Sequence, residues 1–180
     1  MRINRRQSFL LVVDAHTKLA AAMSERERTL KNISILMKSA ARLEVPVLIS
    51  EHYKKGLGPT LPEIAALAPA AACMQKIHFA CTDEAECMAR MSALQRHQVV
   101  VSGMEAHICV LQTAMGLKQA GYQPYVVQDA STSRTPENHA AGMQRLRAAG
   151  IPVVTTEMVV FEWLERAATP EFSELLALIK

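Results

Sequence analysis

Short apolar runs alternate with segments whose apolar residues recur three and four positions apart, from one end of the chain to the other. Residues 9–13 are apolar without alternation, as expected of a strand buried on both faces. Ser24-Glu-Arg-Glu27 has the form of a capping box, and the helix it opens carries Leu30, Ile33, Met37, Ala40 and Ala41 on one stripe. Residues 45–49 predict a second strand, with Pro46 tolerated at its start, and Gly56-Leu-Gly-Pro59 marks a loop. Residues 72–76 predict a weaker third strand. Thr82-Asp-Glu84 then begins a helix, with acidic groups at the positive end of its dipole. Residues 98–102 predict the fourth strand, followed by Gly103 and a helix over 107–120 that Gly121 ends. Residues 124–127 and 152–155 predict the fifth and sixth strands. Between them, Thr135-Pro-Glu137 opens a helix that Gly150 closes. Two more helices follow, the second repeating Thr-Pro-Glu at 169–171.

This alternation predicts an α/β fold: a three-layer α/β/α Rossmann-like sandwich with a six-stranded, mostly parallel sheet and right-handed crossovers. In the common order 3-2-1-4-5-6, strands 1 and 4 diverge from a crevice, and ligands bind there at the carboxyl ends. A length of 180 residues, with no linker or repeat, predicts a single domain over residues 1–180.

Composition narrows the function classes. Half the residues are hydrophobic and 21% are charged, which excludes disordered and low-complexity proteins. The net charge is +3, from scattered basic residues; the densest patch, Arg2, Arg5 and Arg6, reads as a short solvated arm. With only 4% aromatics there is no stacking platform, so no nucleic-acid partner is expected. No apolar run approaches the roughly 20 residues of a membrane helix. Asp14 cuts the first apolar run short and no cleavage site follows, which argues against a signal peptide. The four cysteines lack Cys-x-x-Cys spacing and read as reduced thiols of a cytoplasmic protein. No Gly-x-Gly-x-x-Gly or Walker pattern is present, so no nucleotide cofactor is expected.

Three residues fall where the predicted sheet would gather them. Asp14 ends strand 1, Lys76 ends strand 3, and Cys109 lies in the first turn after strand 4. A helix amino terminus and a nearby cation both favour the thiolate, so Cys109 is a candidate nucleophile; its bland alternative is a buried apolar thiol. Asp14 closes an apolar run and is a candidate general base, or simply a capping or loop carboxylate. Lys76 can pair with Asp14, although position alone favours a snorkelling surface lysine. His107 stands two residues before Cys109, on another helical face, which points to a substrate-facing or supporting role. His52 follows strand 2 beside Glu51, and His16 lies near Asp14. No histidines and acids cluster closely enough in sequence to predict a metal.

The chain resembles the isochorismatase-like cysteine hydrolases over nearly its whole length, and within them the small isochorismatase-domain-containing hydrolases. Three segments carry the likeness: Leu11-Val-Val-Asp14; Leu43-Glu-Val-Pro-Val-Leu-Ile-Ser-Glu51 continuing through Gly56-Leu-Gly-Pro-Thr-Leu-Pro-Glu63; and Gly103-Met-Glu-Ala-His-Ile-Cys-Val-Leu-Gln-Thr-Ala114. Lys76 with Phe79 matches a Lys-x-x-Phe pattern. The resemblance implies a catalytic triad of Asp14, Lys76 and Cys109. It also implies a cis peptide at Met104–Glu105 and an oxyanion hole from the backbone amides of Glu105 and Cys109. Its pocket positions fall on His16, Leu19, His52, Phe79 and His107, where His16 and Leu19 depart from the Gln and Phe of many relatives. Only Glu51 and His52 stand where metal-binding relatives carry a ligand cluster, so no metal or other cofactor is expected.

The implied reaction is hydrolysis of a small-molecule amide, with an ester as second choice, through a thioester acyl-enzyme. Two other readings stand beside it: vinyl-ether hydrolysis of the isochorismate type, and a non-catalytic thiol acting as a redox sensor or metabolite-binding site. The resemblance also implies a homo-oligomer, a dimer or larger.

Overall fold

Both-face burial explains the unbroken apolar run at 9–13. Its Leu10 and Val12 enter one core and its Phe9, Leu11 and Val13 the other. The computed structural model describes residues 1–180. The strands are β1 (Ser8–Val13), β2 (Val47–His52), β3 (Cys73–Lys76), β4 (Gln98–Met104), β5 (Gln123–Thr132) and β6 (Val153–Val154). They form one sheet in the order β3-β2-β1-β4-β5-β6, parallel at every pairing. The helices are α1 (Thr17–Ala21), α2 (Arg26–Arg42), α3 (Lys54–Leu57), α4 (Pro62–Ala65), α5 (Ala85–Ala93), α6 (Leu111–Gln119), α7 (Pro136–Ala148), α8 (Thr156–Leu164) and α9 (Pro170–Ile179). Helices α2 and α8 cover one face of the sheet, with α9 against them; α5, α6 and α7 cover the other. The predicted three-layer architecture and strand order are therefore observed.

Several local expectations need correction. Ser24 does not cap α2: its hydroxyl donates to the Ser133 carbonyl at 2.7 Å, and left-handed Glu25 (φ 50°) starts the helix without a side-chain cap. Residues 81–83 form a 3₁₀ turn, and α5 starts only at Ala85. β5 runs well past residue 127 because its polar Gln128 and Asp129 are paired: the Asp129 carboxylate accepts from the Thr156 amide and hydroxyl, and the Gln128 carbonyl pairs with His139 Nε2. Nor is the basic amino terminus a solvated arm. Ile3 is buried, and Arg96 Nη1 donates to the carbonyls of Arg5 and Ser8 at 2.7 and 2.8 Å.

The crevice between β1 and β4 depends on a glycine. Gly103 adopts φ +124°, and a Cβ there would stand 2.0 Å from the Val13 carbonyl oxygen. Backbone cannot yield as a flexible side chain can. Gly103→Ala is therefore expected to destabilise the fold by at least about 2 kcal/mol. A urea midpoint unchanged from that of the parent would refute this.

Candidate active site

At the carboxyl edge of the sheet the chain turns sharply out of β1. Asp14 has φ +52°, and its amide donates to the Ser50 carbonyl at 3.1 Å. Ser50 Oγ donates to one Asp14 carboxylate oxygen at 2.7 Å, and Lys76 Nζ donates to the other at 2.7 Å. The lysine side chain is fully buried, so it is not the snorkelling surface residue that position alone suggested. Its remaining hydrogens reach the carbonyls of His78 and Phe79 at 3.2 and 2.9 Å. A buried ion pair needs such extra partners to offset desolvation, and here both ions have them. Burial opposes the charge on Lys76, yet the Asp14 carboxylate carries its pKa above the ordinary value.

The residues after Lys76 are held by Glu84. Its carboxylate accepts from the amides of Ile77 and His78 and pairs with the His78 ring, which lowers its pKa to about 2. The acid expected to serve a helix dipole thus fixes the loop whose carbonyls hold the lysine.

Cys109 lies in a π-helical turn, Ala106–Val110, that leads into α6. The amides of Ile108 and Val110 both donate to the Glu105 carbonyl. The Met104–Glu105 peptide is cis, as the resemblance implied. Cys109 is 6% exposed and sits among the charges of Asp14 and Lys76. Burial is the largest influence on its thiol and pushes the pKa up; Asp14 pushes it up again, and Lys76 offsets only part of this. Burial and the carboxylate thus oppose the thiolate that the helix terminus and Lys76 favour, and the same carboxylate stands beside the thiol as a proton acceptor.

The other expected site residues divide. His16 is fully buried with both ring nitrogens engaged: Nδ1 donates to the Gly58 carbonyl at 2.7 Å and Nε2 accepts from the His52 amide at 2.8 Å. It braces the loop after β2 rather than offering a free nitrogen. Glu51 braces the same loop, accepting from the Thr60 amide and hydroxyl, and its pKa falls because Lys54 and Thr60 outweigh burial. His52 stacks on Phe79 with ring centroids 5.2 Å apart, and Phe79 is half-exposed. Leu19 is partly buried against the core. His107 does not pair with Cys109; its Nδ1 meets Ser133 Oγ at 2.9 Å. The Glu105 side chain forms a fork with Arg134, which holds its carboxyl below the ordinary range against the opposing effect of burial. Ser50 and Arg134 were missed in sequence. A lone polar residue closing an apolar strand was the available signal for Ser50; none marked Arg134.

Tyr53, Lys76, Ile77 and Glu84 are among the residues that line a cavity of about 460 Å³ at this end of the sheet, and Asp14 and Cys109 are not. Tyr53, Ile77 and Phe79 leave an apolar rim on the surface.

The buried thiols make a stability prediction. Burial first raises the pKa of Cys81, Cys87 and Cys109, that of Cys87 to about 12. A folded-state value above the unfolded one stabilises fully below the unfolded pKa and is lost as pH rises toward the folded value. Stability is therefore expected to fall above about pH 9, by about 1.4 kcal/mol per pH unit for each thiol that stays neutral. Urea midpoints under reducing conditions, from neutral to alkaline pH, check this; a flat profile would refute it.

A family model described as the isochorismatase domain matches residues 8–158. Isochorismatase domain-containing protein 2B of Mus musculus is 31% identical over 180 residues, covering 99% of this chain and 84% of the mouse protein. The MAR1 ribonuclease of Caenorhabditis elegans superposes with a TM-score of 0.92 at 28% identity, over 99% of this chain and 92% of that one. The YcaC gene product of Escherichia coli, described as an octameric hydrolase of unknown specificity, superposes with a TM-score of 0.93 at 21% identity, over 99% and 90% of the two chains. That last likeness is one of fold. No helix is long and apolar enough to cross a membrane.

Proposed function

The chain belongs to the isochorismatase family, and from that premise we propose that it hydrolyses a small-molecule amide, or secondarily an ester, through a thioester on Cys109. One observation carries this reading: a buried Lys76–Asp14 pair with its carboxylate beside the Cys109 thiol, whose pKa burial and that carboxylate raise. As sulfur attacks the carbonyl carbon, the S–H proton passes to Asp14 and the carbonyl electron pair becomes an oxyanion. The amides of Glu105 and Cys109 receive that oxyanion, at about 3–4 kcal/mol per donor in comparable sites. Protonated Asp14 then gives its proton to the departing amine as the C–N bond breaks. Water cleaves the thioester with Asp14 again taking the proton, and the thiol returns. Lys76 orients Asp14 through its 2.7 Å contact to one carboxylate oxygen. His52, Phe79, His107 and Leu19 are assigned to the pocket, with His16 behind them.

A thiol held neutral is a poor peroxide target, which weighs against the redox-sensor reading. The apolar rim of Tyr53, Ile77 and Phe79 supports a homo-oligomer with a second copy over the mouth, in keeping with the octamer described for the E. coli structure. Four free cysteines support a reducing compartment, the cytoplasm. The test is a panel of amides, esters, isochorismate and an RNA oligonucleotide, with product analysis. Released amine or alcohol supports the proposal. Turnover of isochorismate alone would replace it with vinyl-ether chemistry, and cleavage of RNA alone with phosphodiester chemistry.

A further inference from the structure

A second cavity opens at the opposite, amino edge of the sheet. It holds about 450 Å³ and is lined by four guanidiniums, of Arg5, Arg6, Arg42 and Arg96, against the carboxylates of Glu44 and Glu171. The arginines come from three separate segments, those preceding β1, β2 and β4. Only one lining residue is apolar, so the cavity does not suit an apolar ligand.

The charges are not balanced within the chain. Arg42 is neutralised by Glu171 and Glu174. Arg5, Arg6 and Arg96 form no ion pair, nor does Glu44. Arg96 is half-buried and anchored: its Nη1 is fixed on the carbonyls of Arg5 and Ser8, while Nε and Nη2 have no partner in the chain. Burial lowers its pKa with no carboxylate to oppose the shift. Like charges gathered around a partly desolvated guanidinium are unfavourable until an anion joins them, and planar guanidiniums suit the paired oxygens of phosphate.

We propose that this amino-edge cavity binds a phosphate-bearing small molecule, such as a diphosphate or phosphate monoester, held by Arg5, Arg6 and Arg96. The site is independent of the chemistry at Cys109, which lies at the carboxyl edge. A reporter is built in: the single tryptophan, Trp163, donates from Nε1 to Ser8 Oγ at 2.8 Å, and the Ser8 carbonyl holds Arg96.

The test titrates inorganic pyrophosphate into the full chain at constant ionic strength, by calorimetry and by Trp163 fluorescence. Saturable binding at one site per chain is expected. Arg5→Gln and Arg6→Gln should each weaken it about tenfold, the loss of a charge-assisted contact. Both arginines spare the anchor at Arg96, so the variants should fold normally by circular dichroism. Glu44→Gln should tighten binding. Arg28→Gln, on a surface pair with Glu25, should leave it unchanged. Cys109→Ala should also bind as the parent does, which separates this site from the reaction. Absence of saturable binding at millimolar pyrophosphate, or affinity unchanged from the parent in both arginine variants, would overturn the proposal. So would binding of an RNA oligonucleotide that grows with length while pyrophosphate fails to bind, since that would assign the patch to a nucleic-acid backbone.

Discussion

Cys109→Ala is expected to lower turnover by at least about 10³-fold, because removal of a nucleophile leaves only binding and oxyanion stabilisation. The fold should survive it. The residue is small, and its removal takes away only the sulfur from a site already closed to solvent. Stability at neutral pH should stay within about 1 kcal/mol of the parent. The alkaline loss should also shrink, because one of the thiols held neutral by burial is gone. Steady-state kinetics on a turned-over substrate, with a urea titration on the same preparation, check both halves. Turnover close to that of the parent would remove cysteine from the reaction.

Lys76→Met carries the second large effect, on two readouts. It leaves the Asp14 carboxylate buried with only Ser50 donating to it, besides leaving the His78 and Phe79 carbonyls without the ammonium. Breaking one side of a buried pair costs about 3–5 kcal/mol, mostly for the stranded charge. Removing both charges is much milder. The double variant Asp14→Asn/Lys76→Met is therefore expected to regain at least about half of that stability, yet remain as inactive as Cys109→Ala. Recovery of stability without recovery of turnover separates the chemical role of the pair from its structural one. A double variant less stable than Lys76→Met would contradict the assignment of a stranded charge.

The central strands were legible because burial on both faces writes an unmistakable pattern: residues 9–13 and 99–101 are apolar without alternation, while their order followed only from the commonest arrangement of such a fold. Caps at Thr135 and Thr169 were legible too, and both hydroxyls accept amides as their Thr-Pro-Glu sequences imply. Ser24 has an equally good local signal and fails, because a distant carbonyl at Ser133 takes its hydroxyl. The helices α1, α3 and α4 escaped because four or five residues are too few to show a period. In the site, the strand ends indicated where Asp14, Lys76 and Cys109 would lie. They did not indicate their depth. Burial reverses the balance expected at Cys109, since desolvation and a neighbouring carboxylate together exceed the pull of the ammonium. Ser50 and Arg134 join their partners across 36 and 29 residues of sequence, a distance no local pattern spans.

The proposed reaction turns on one step, the acylation of Cys109 as Asp14 takes its proton. Acid-quenched turnover followed by intact mass and peptide mapping tests it most directly. One acyl group per chain is expected on the peptide containing Cys109, with no adduct in Asp14→Asn even though its thiol remains. An acyl group on any other residue, or continued turnover with Cys109 unmodified at every time point, would contradict it.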